Sequence, residues 1–238
     1  MAGEQRARRQ GVSSGVVSFT GNGGTLDGYL ARPDDGQAHP SVILVQEWWG
    51  TEPHIQDLTE RLAPAGYVVL APDLYHGQVV TEPDEANKAS MALNKEKAVD
   101  EIIQALGYLR SRDDVQPKRL GMTGFCMGGL LTWRAAERVG DELAAIAPFY
   151  AGYYQPMAES IRGVNAPALV IWGAADDSIP ANAREQIIGL LSETNKTFKA
   201  IIYPAGYAFM NDQHPTYDRQ AAEDAWSERL HWLSRYLG

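Results

Sequence analysis

Hydrophobic residues along the chain alternate between short continuous runs and spaced, helix-like stripes. Runs predicted as strands lie at 41–46, 67–71, 119–123, 144–150, 168–172 and 198–203. Most of them are apolar throughout, which is typical of strands buried on both faces of a parallel sheet. Helical spacing is seen in 54–63, 85–110, 128–139, 181–191 and 219–236, the second region forming one helix or two. This alternation predicts a doubly wound, mainly parallel α/β sheet.

The N-terminal part of the chain departs from this alternation. Strands are predicted at 16–20 and 25–31, and the glycine-rich turn at 21–24 joins them as an antiparallel hairpin. The polar residues before the hairpin predict a disordered tail over 1–12. No Pro-, Gly- or Ser-rich linker divides 13–238, which is therefore predicted to form a single domain.

Composition limits the functional classes. The 238 residues carry a net charge of −9, which argues against nucleic acid and anionic membranes as partners. The chain has no run of 18 apolar residues and no apolar segment near Met1 that would form a secretory signal. One cysteine excludes an internal disulfide and fits a reducing cytoplasm. The five histidines show no metal-ligand spacing, so we expect neither a metal nor another cofactor.

One stretch carries the strongest chemical signal. A strand-like run ends in Gly124-x-Cys126-x-Gly128, and a helical pattern begins at once. This is the layout of a nucleophile elbow with cysteine in place of serine, where the nucleophile occupies a strained turn and the glycines avoid clashes. The helix N-terminus favours a thiolate at Cys126 and leaves N–H groups free for an oxyanion. The plainer interpretation is that Cys126 is a small buried hydrophobic residue.

A second group of candidate residues follows the predicted strand at 41–46. Glu47, Trp48 and Trp49 come at its carboxyl end, where open α/β sheets bind ligands. Further aromatic residues follow later strands, so we expect an aromatic-lined cleft for a cyclic or aromatic small molecule. The expected substrate contacts are Trp49, Tyr75, Tyr150 and Phe209. The alternative is that both indoles belong to the core and that Glu47 is solvated.

Five stretches, in order along the chain, resemble the dienelactone hydrolase family of the α/β-hydrolase fold. They are 46–50, 71–75, 124–129, 173–180 and 203–209. The resemblance implies hydrolysis of enol lactones and related esters by a Cys–His–Asp triad, with Cys126 as the nucleophile and Asp176 as the acid. It also implies that Glu47 takes the thiol proton when substrate binds, and that backbone N–H groups of Trp48 and Met127 form the oxyanion hole.

The sequence departs from the family pattern at one catalytic position. Where the motif after the last strand has histidine, this chain has Tyr207, which we expect to face both Cys126 and Asp176. Tyrosine, with a pKa of about 10, is a poor base at neutral pH, so the loss predicts hydrolysis slower by about 10²–10⁴-fold. The sequence leaves open whether one of three other histidines reaches the site, namely His54, His76 and His214.

Three functional classes therefore stay open. The first is a hydrolase of small esters or lactones with an altered triad. The second is a non-hydrolytic enzyme of cyclase or lyase type, in which Tyr207 is an acid or an orienting donor. The third is a catalytically silent binding protein. The sequence does not reveal the substrate, the oligomeric state, or whether Tyr207 was introduced to trap an acyl-enzyme.

Overall fold

The computed structural model describes residues 9–21, 23–152 and 154–238. Within them, eight strands form one sheet in the order β1-β2-β4-β3-β5-β6-β7-β8. The strands are β1 Val12–Gly21, β2 Gly24–Pro33, β3 Ser41–Val45, β4 Val68–Pro72, β5 Leu120–Phe125, β6 Leu143–Phe149, β7 Ala168–Gly173 and β8 Phe198–Tyr203. The mixed sheet with flanking helices confirms the predicted α/β-hydrolase fold.

The first two strands form the predicted antiparallel hairpin, with Gly21 opposite Gly24 at its turn. β2 also pairs antiparallel with β4, whereas every pairing among the six strands β3 to β8 is parallel. All five residues of β3 and of β4 are buried, as expected for strands covered on both faces. The predicted tail at 1–12 ends one residue too late, because Val12 already belongs to β1; residues 1–8 lie outside the described part.

Seven α-helices connect or follow the strands of the described chain. They are α1 Pro53–Leu62, α2 Pro83–Ala92, α3 Lys95–Ser111, α4 Met127–Val139, α5 Ala158–Gly163, α6 Ala181–Glu193 and α7 Arg219–Leu237. The region 85–110 forms two helices, because Asn94 caps the start of α3 by accepting a hydrogen bond from the Lys97 N–H. The helical pattern of the sequence did not indicate α5, between β6 and β7, because its six residues are too few to show a helical period.

Two glycines of β5 show how helices cover both faces of the sheet. A Cβ on Gly121 would meet Leu233 of α7, whereas a Cβ on Gly124 would meet Thr132 of α4. Because residues an odd number apart in a strand point to opposite faces, α7 and α4 lie on opposite sides of β5. None of the helices among the described residues combines the length and the apolar character needed to cross a membrane.

Candidate active site

The carboxyl ends of the central parallel strands carry the predicted catalytic residues. Glu47 follows β3, Cys126 follows β5, Asp176 follows β7 and Tyr207 follows β8. These strands and β6 run parallel beside one another, so their carboxyl ends meet at one edge of the sheet. The fold thus brings residues that are distant in sequence to one place.

The turn at Cys126 has the predicted backbone conformation. Cys126 joins β5 directly to α4 with φ 57° and ψ −120°, a strained combination for a residue that has a side chain. A Cβ on Gly124 would clash with the carbonyl group of Gly128, and a Cβ on Gly128 would clash with that of Val45. Glycine at both positions therefore allows the close approach of α4 to β5 and β3.

The Cys126 sulfur is part-buried and surrounded by hydrogen-bond donors. The Tyr207 hydroxyl donates to Sγ, and the backbone N–H groups of Met127 and Trp48 also interact with the thiol. Burial raises the pKa of the Cys126 thiol to about 12, with a further contribution from the charge of Glu47. The thiol is therefore protonated at neutral pH in this arrangement. The helix N-terminus favours the thiolate, but in this arrangement burial has the larger effect on the pKa of the thiol.

Glu47 is only 2% exposed, which excludes the solvated alternative. Nδ2 of Asn211 donates to Oε2 at 2.9 Å, and the hydroxyl of Tyr150 lies 3.4 Å from Oε1. Both carboxylate oxygens thus have partners other than the thiol, and no hydrogen bond joins Glu47 to Cys126 within the described residues. The charge of Glu47 nevertheless acts on the thiol, so the two groups lie near each other. Burial raises the pKa of Glu47 to about 7, against the opposing effect of the hydrogen bond from Asn211.

Asp176 is buried after β7 and is not linked to Tyr207 by a hydrogen bond. Its Oδ1 accepts hydrogen bonds from the N–H and hydroxyl of Ser178 and from the N–H of Ile179. Its Oδ2 has no partner in the described ranges. Tyr207 thus hydrogen-bonds to Cys126, whereas it shares only the cleft with Asp176. A phenol has its single polar atom at the ring's far end, whereas an imidazole has two nitrogens and can contact two partners.

A cleft of about 750 Å³ opens onto Cys126, Asp176 and Tyr207. Part of its wall is formed by α2 and the start of α3, which contribute Asn87, Ser90, Met91 and Lys95. Sequence reasoning did not assign these residues to the site. The available signal was the spacing of Asn87, Ser90 and Met91, which places them on neighbouring positions of one helix face.

The four aromatic residues predicted to contact substrate do not line this cleft. Tyr150 and Phe209 are fully buried and pack together with ring centroids 5.7 Å apart. Tyr75 is also buried, with its hydroxyl 3.7 Å from Sδ of Met127. Trp49 lines a separate cavity of about 470 Å³. The prediction placed these rings in the cleft because they follow strands, but large apolar rings gain most by packing in the core beneath it.

The three histidines left open by the sequence have other partners. Nδ1 of His54 lies 3.5 Å from Oδ1 of Asp212, and burial lowers the pKa of His54 to about 4. His76 lies 3.4 Å from Glu101, and His214 contacts Thr216 at 2.7 Å. No histidine lines the cleft, and the described ranges hold no group of three or more His, Cys, Asp or Glu side chains suited to a metal ion.

Sequence comparisons show the family to which the chain belongs. The model of the dienelactone hydrolase family matches residues 26–237. A Yersinia pestis protein named as a carboxymethylenebutenolidase is 32% identical over 243 residues, which cover 95% of this chain and 90% of the relative. A Salmonella typhimurium protein with the same name is 33% identical over 243 residues, which cover 95% of this chain and 89% of that protein.

The fold also resembles solved structures. A Klebsiella pneumoniae crystal structure named as a dienelactone hydrolase superimposes with a TM-score of 0.87 at 30% identity. The superposition covers 94% of this chain and 99% of the other. Sequence and structure are thus similar over nearly the whole length of both proteins.

Proposed function

The chain belongs to the dienelactone hydrolase family and is a hydrolase of carboxylic esters or lactones, and we propose that it uses Cys126 as its nucleophile and carries Tyr207 in place of the triad histidine. The observation that carries the proposal is the environment of the sulfur. Cys126 occupies a strained strand-to-helix turn, and the N–H groups of Trp48 and Met127 interact with its thiol. These donors are within reach of the oxygen of a carbonyl group that the sulfur attacks.

Acylation starts from the protonated thiol. Bound substrate displaces the hydroxyl of Tyr207 from Sγ, and the thiol proton passes to Glu47, whose pKa of about 7 suits a group that gains and loses a proton near neutral pH. The sulfur attacks the carbonyl carbon while Trp48 and Met127 stabilise the oxyanion. The alkoxide then leaves with the proton from Glu47. An ester gives a free alcohol, and a lactone gives a hydroxyl group still joined to the acyl chain.

Deacylation lacks an efficient base. Burial and the neighbouring Cys126 raise the pKa of Tyr207 well above its usual range, so the phenol stays neutral and donates rather than accepts. A general base typically accelerates such a step by about 10²–10⁴-fold. We therefore expect the thioester on Cys126 to accumulate, and its hydrolysis to limit turnover of small ester or lactone substrates.

The same neutral phenol supports a second candidate function, a non-hydrolytic reaction of cyclase or lyase type. Its O–H group points at the sulfur and lies beside the cleft, where it could donate a proton to bound substrate. In that reaction no acyl-enzyme forms, and loss of the Tyr207 hydroxyl abolishes turnover.

Turnover of an aryl ester and of an enol lactone tests the proposal. Tyr207→His should raise turnover by about 10²-fold or more if the missing base limits deacylation. Tyr217→His makes the same substitution at an exposed position of the same loop and should change turnover by less than about twofold. If Tyr207→His lowers turnover and Tyr207→Phe abolishes it, the tyrosine is itself catalytic and the second function is correct.

A further inference from the structure

Asn211 contacts Glu47 from the loop between β8 and α7, four residues after Tyr207. The residue is 3% exposed, and Nδ2 donates to Oε2 of Glu47 at 2.9 Å. Its Oδ1 accepts the N–H of Gln213, also at 2.9 Å. Since the backbone N–H can only donate, the amide oxygen must face Gln213 and the amide nitrogen must face the carboxylate. The orientation of the amide is therefore fixed.

The backbone around Asn211 holds this side chain in place. The Asn211 N–H donates to the carbonyl of Ala208 at 2.9 Å, and its carbonyl accepts from the N–H of His214 at 3.0 Å. Ala208 has a φ of 58°, in the left-handed region that non-glycine residues rarely occupy. The hydroxyl of Thr216 donates to the carbonyl of Tyr207 and ties the two ends of this stretch together. One constrained loop thus presents Tyr207 to the sulfur and Asn211 to Glu47.

The surroundings of Glu47 make the Asn211 donor important. The titratable groups that interact with Glu47 are Cys126, Tyr150, Tyr207 and Glu52. Each of them is neutral or acidic, and among the described residues no lysine or arginine stabilises the ionised carboxylate. Under these conditions a hydrogen bond donated to the charged form is a principal means of keeping it charged.

We propose that Asn211 is a positioning residue for Glu47, whose amide keeps the carboxylate ionised beside Cys126 and so sets the pH at which the thiol can give up its proton. The inference deepens the proposed function, because it rests on Glu47 as the acceptor of that proton. Asn211 acts through Glu47 and does not itself touch the sulfur or line the cleft.

The test is the rate of Cys126 alkylation by iodoacetamide as a function of pH. Asn211→Leu removes the donor and should move the Glu47-dependent rise in rate upward by about one pH unit, because loss of a hydrogen bond to the charged form favours the neutral form. Alkylation should then be about fivefold slower near pH 7 and about tenfold slower below pH 6, with little change at high pH. Asn211→Asp has the same shape but presents an acceptor, and it should move the rise further in the same direction.

The control repeats both Asn211 substitutions in a protein that also carries Glu47→Gln. If Asn211 acts only through Glu47, the substitutions have no effect there, whereas a merely structural role of Asn211 would still alter the profile. We therefore expect that neither substitution shifts the profile in this background. An equal shift in that background, an unchanged profile in both Asn211 variants, or a wild type with no pH-dependent rise would each overturn the inference. If Asn211→Leu does not fold, the isosteric Asn211→Asp carries the test. The proposed function is judged separately, by whether an ester acylates Cys126 in the wild type.

Discussion

The elbow at Cys126 carries the sulfur, and the loop between β8 and α7 contacts it through Tyr207. The conformations of these two regions depend on different kinds of contact. The elbow is marked in the sequence by its own glycines, because Gly124 and Gly128 leave room for the turn and for the close approach of α4 to β3. The loop depends on contacts across the fold, where Tyr207 meets Cys126 and Asn211 meets Glu47. Local backbone geometry fixes where the proposed nucleophile lies, whereas residues distant in sequence contact its thiol and the neighbouring carboxyl group.

The largest expected effect comes from breaking the elbow. Gly128→Ala would press a Cβ against the carbonyl oxygens of Val45 and Gln46, which are backbone atoms and cannot turn aside. We expect the free energy of unfolding to fall by about 3 kcal/mol or more. Gly107→Ala is the matched control, since the space around Gly107 in α3 is open and alanine favours a helix by about 0.5–1 kcal/mol. Urea unfolding measures both; equal changes would show that the close approach at Gly128 is easily relieved.

The next effect probes the buried carboxyl group that the loop holds. The pKa of Glu47 is raised from 4.5 to about 7 by folding, so the folded state binds the proton more tightly than the unfolded chain. Its contribution to stability is therefore present below about pH 4.5 and is lost as the pH rises through 7. At 1.36 kcal/mol per pKa unit, full ionisation costs roughly 3 kcal/mol.

His54 acts with the opposite sign and must be separated from Glu47. Its pKa is lowered from 6.5 to about 4, so its contribution to stability rises with pH over that interval. The free energies of unfolding of the wild type and of Glu47→Gln are measured in urea at several pH values and subtracted at each pH. Because both proteins contain His54, its contribution cancels in this difference. The stability of Glu47→Gln relative to wild type should increase by roughly 2–3 kcal/mol between pH 4.5 and 8. A difference independent of pH would show that Glu47 titrates normally.

The smallest effect concerns Asp176. Because Asp176 makes no hydrogen bond to Tyr207, Asp176→Asn, which keeps Oδ1 for Ser178, should change wild-type turnover by less than about threefold. In the Tyr207→His background the carboxylate can orient the imidazole, and the same change should cost about tenfold or more. Ester turnover of the four proteins measures both ratios. If Asp176→Asn lowers turnover by a similar factor in both backgrounds, Asp176 does not interact with the residue at position 207.

The sequence was sufficient for the features that depend on local pattern. Continuous apolar runs indicated the central strands, and the glycine spacing indicated the turn at Cys126 together with its strained conformation. The position of Tyr207 followed from its place after β8. In these cases the physical cause, a steric or periodic constraint, lies within a few residues of the feature it produces.

The features that the sequence did not reveal depend on three-dimensional neighbours. Whether the hydroxyl of Tyr207 meets Cys126 or Asp176 depends on ring length and loop position. Asn211 was missed because a neutral amide follows no motif and gains its importance only from burial beside Glu47. The wall formed by α2 was missed because the position of that helix over the cleft is a packing result.

The most direct test of the account is the intact mass of the protein during reaction with an aryl acetate. The account predicts rapid release of one equivalent of phenol, a mass increase of one acetyl group on Cys126, and decay of that adduct at the steady-state rate. Cys126→Ala should show neither the burst nor the adduct. Steady turnover by the wild type with no adduct at any time, or an equal rate in Cys126→Ala, would contradict it.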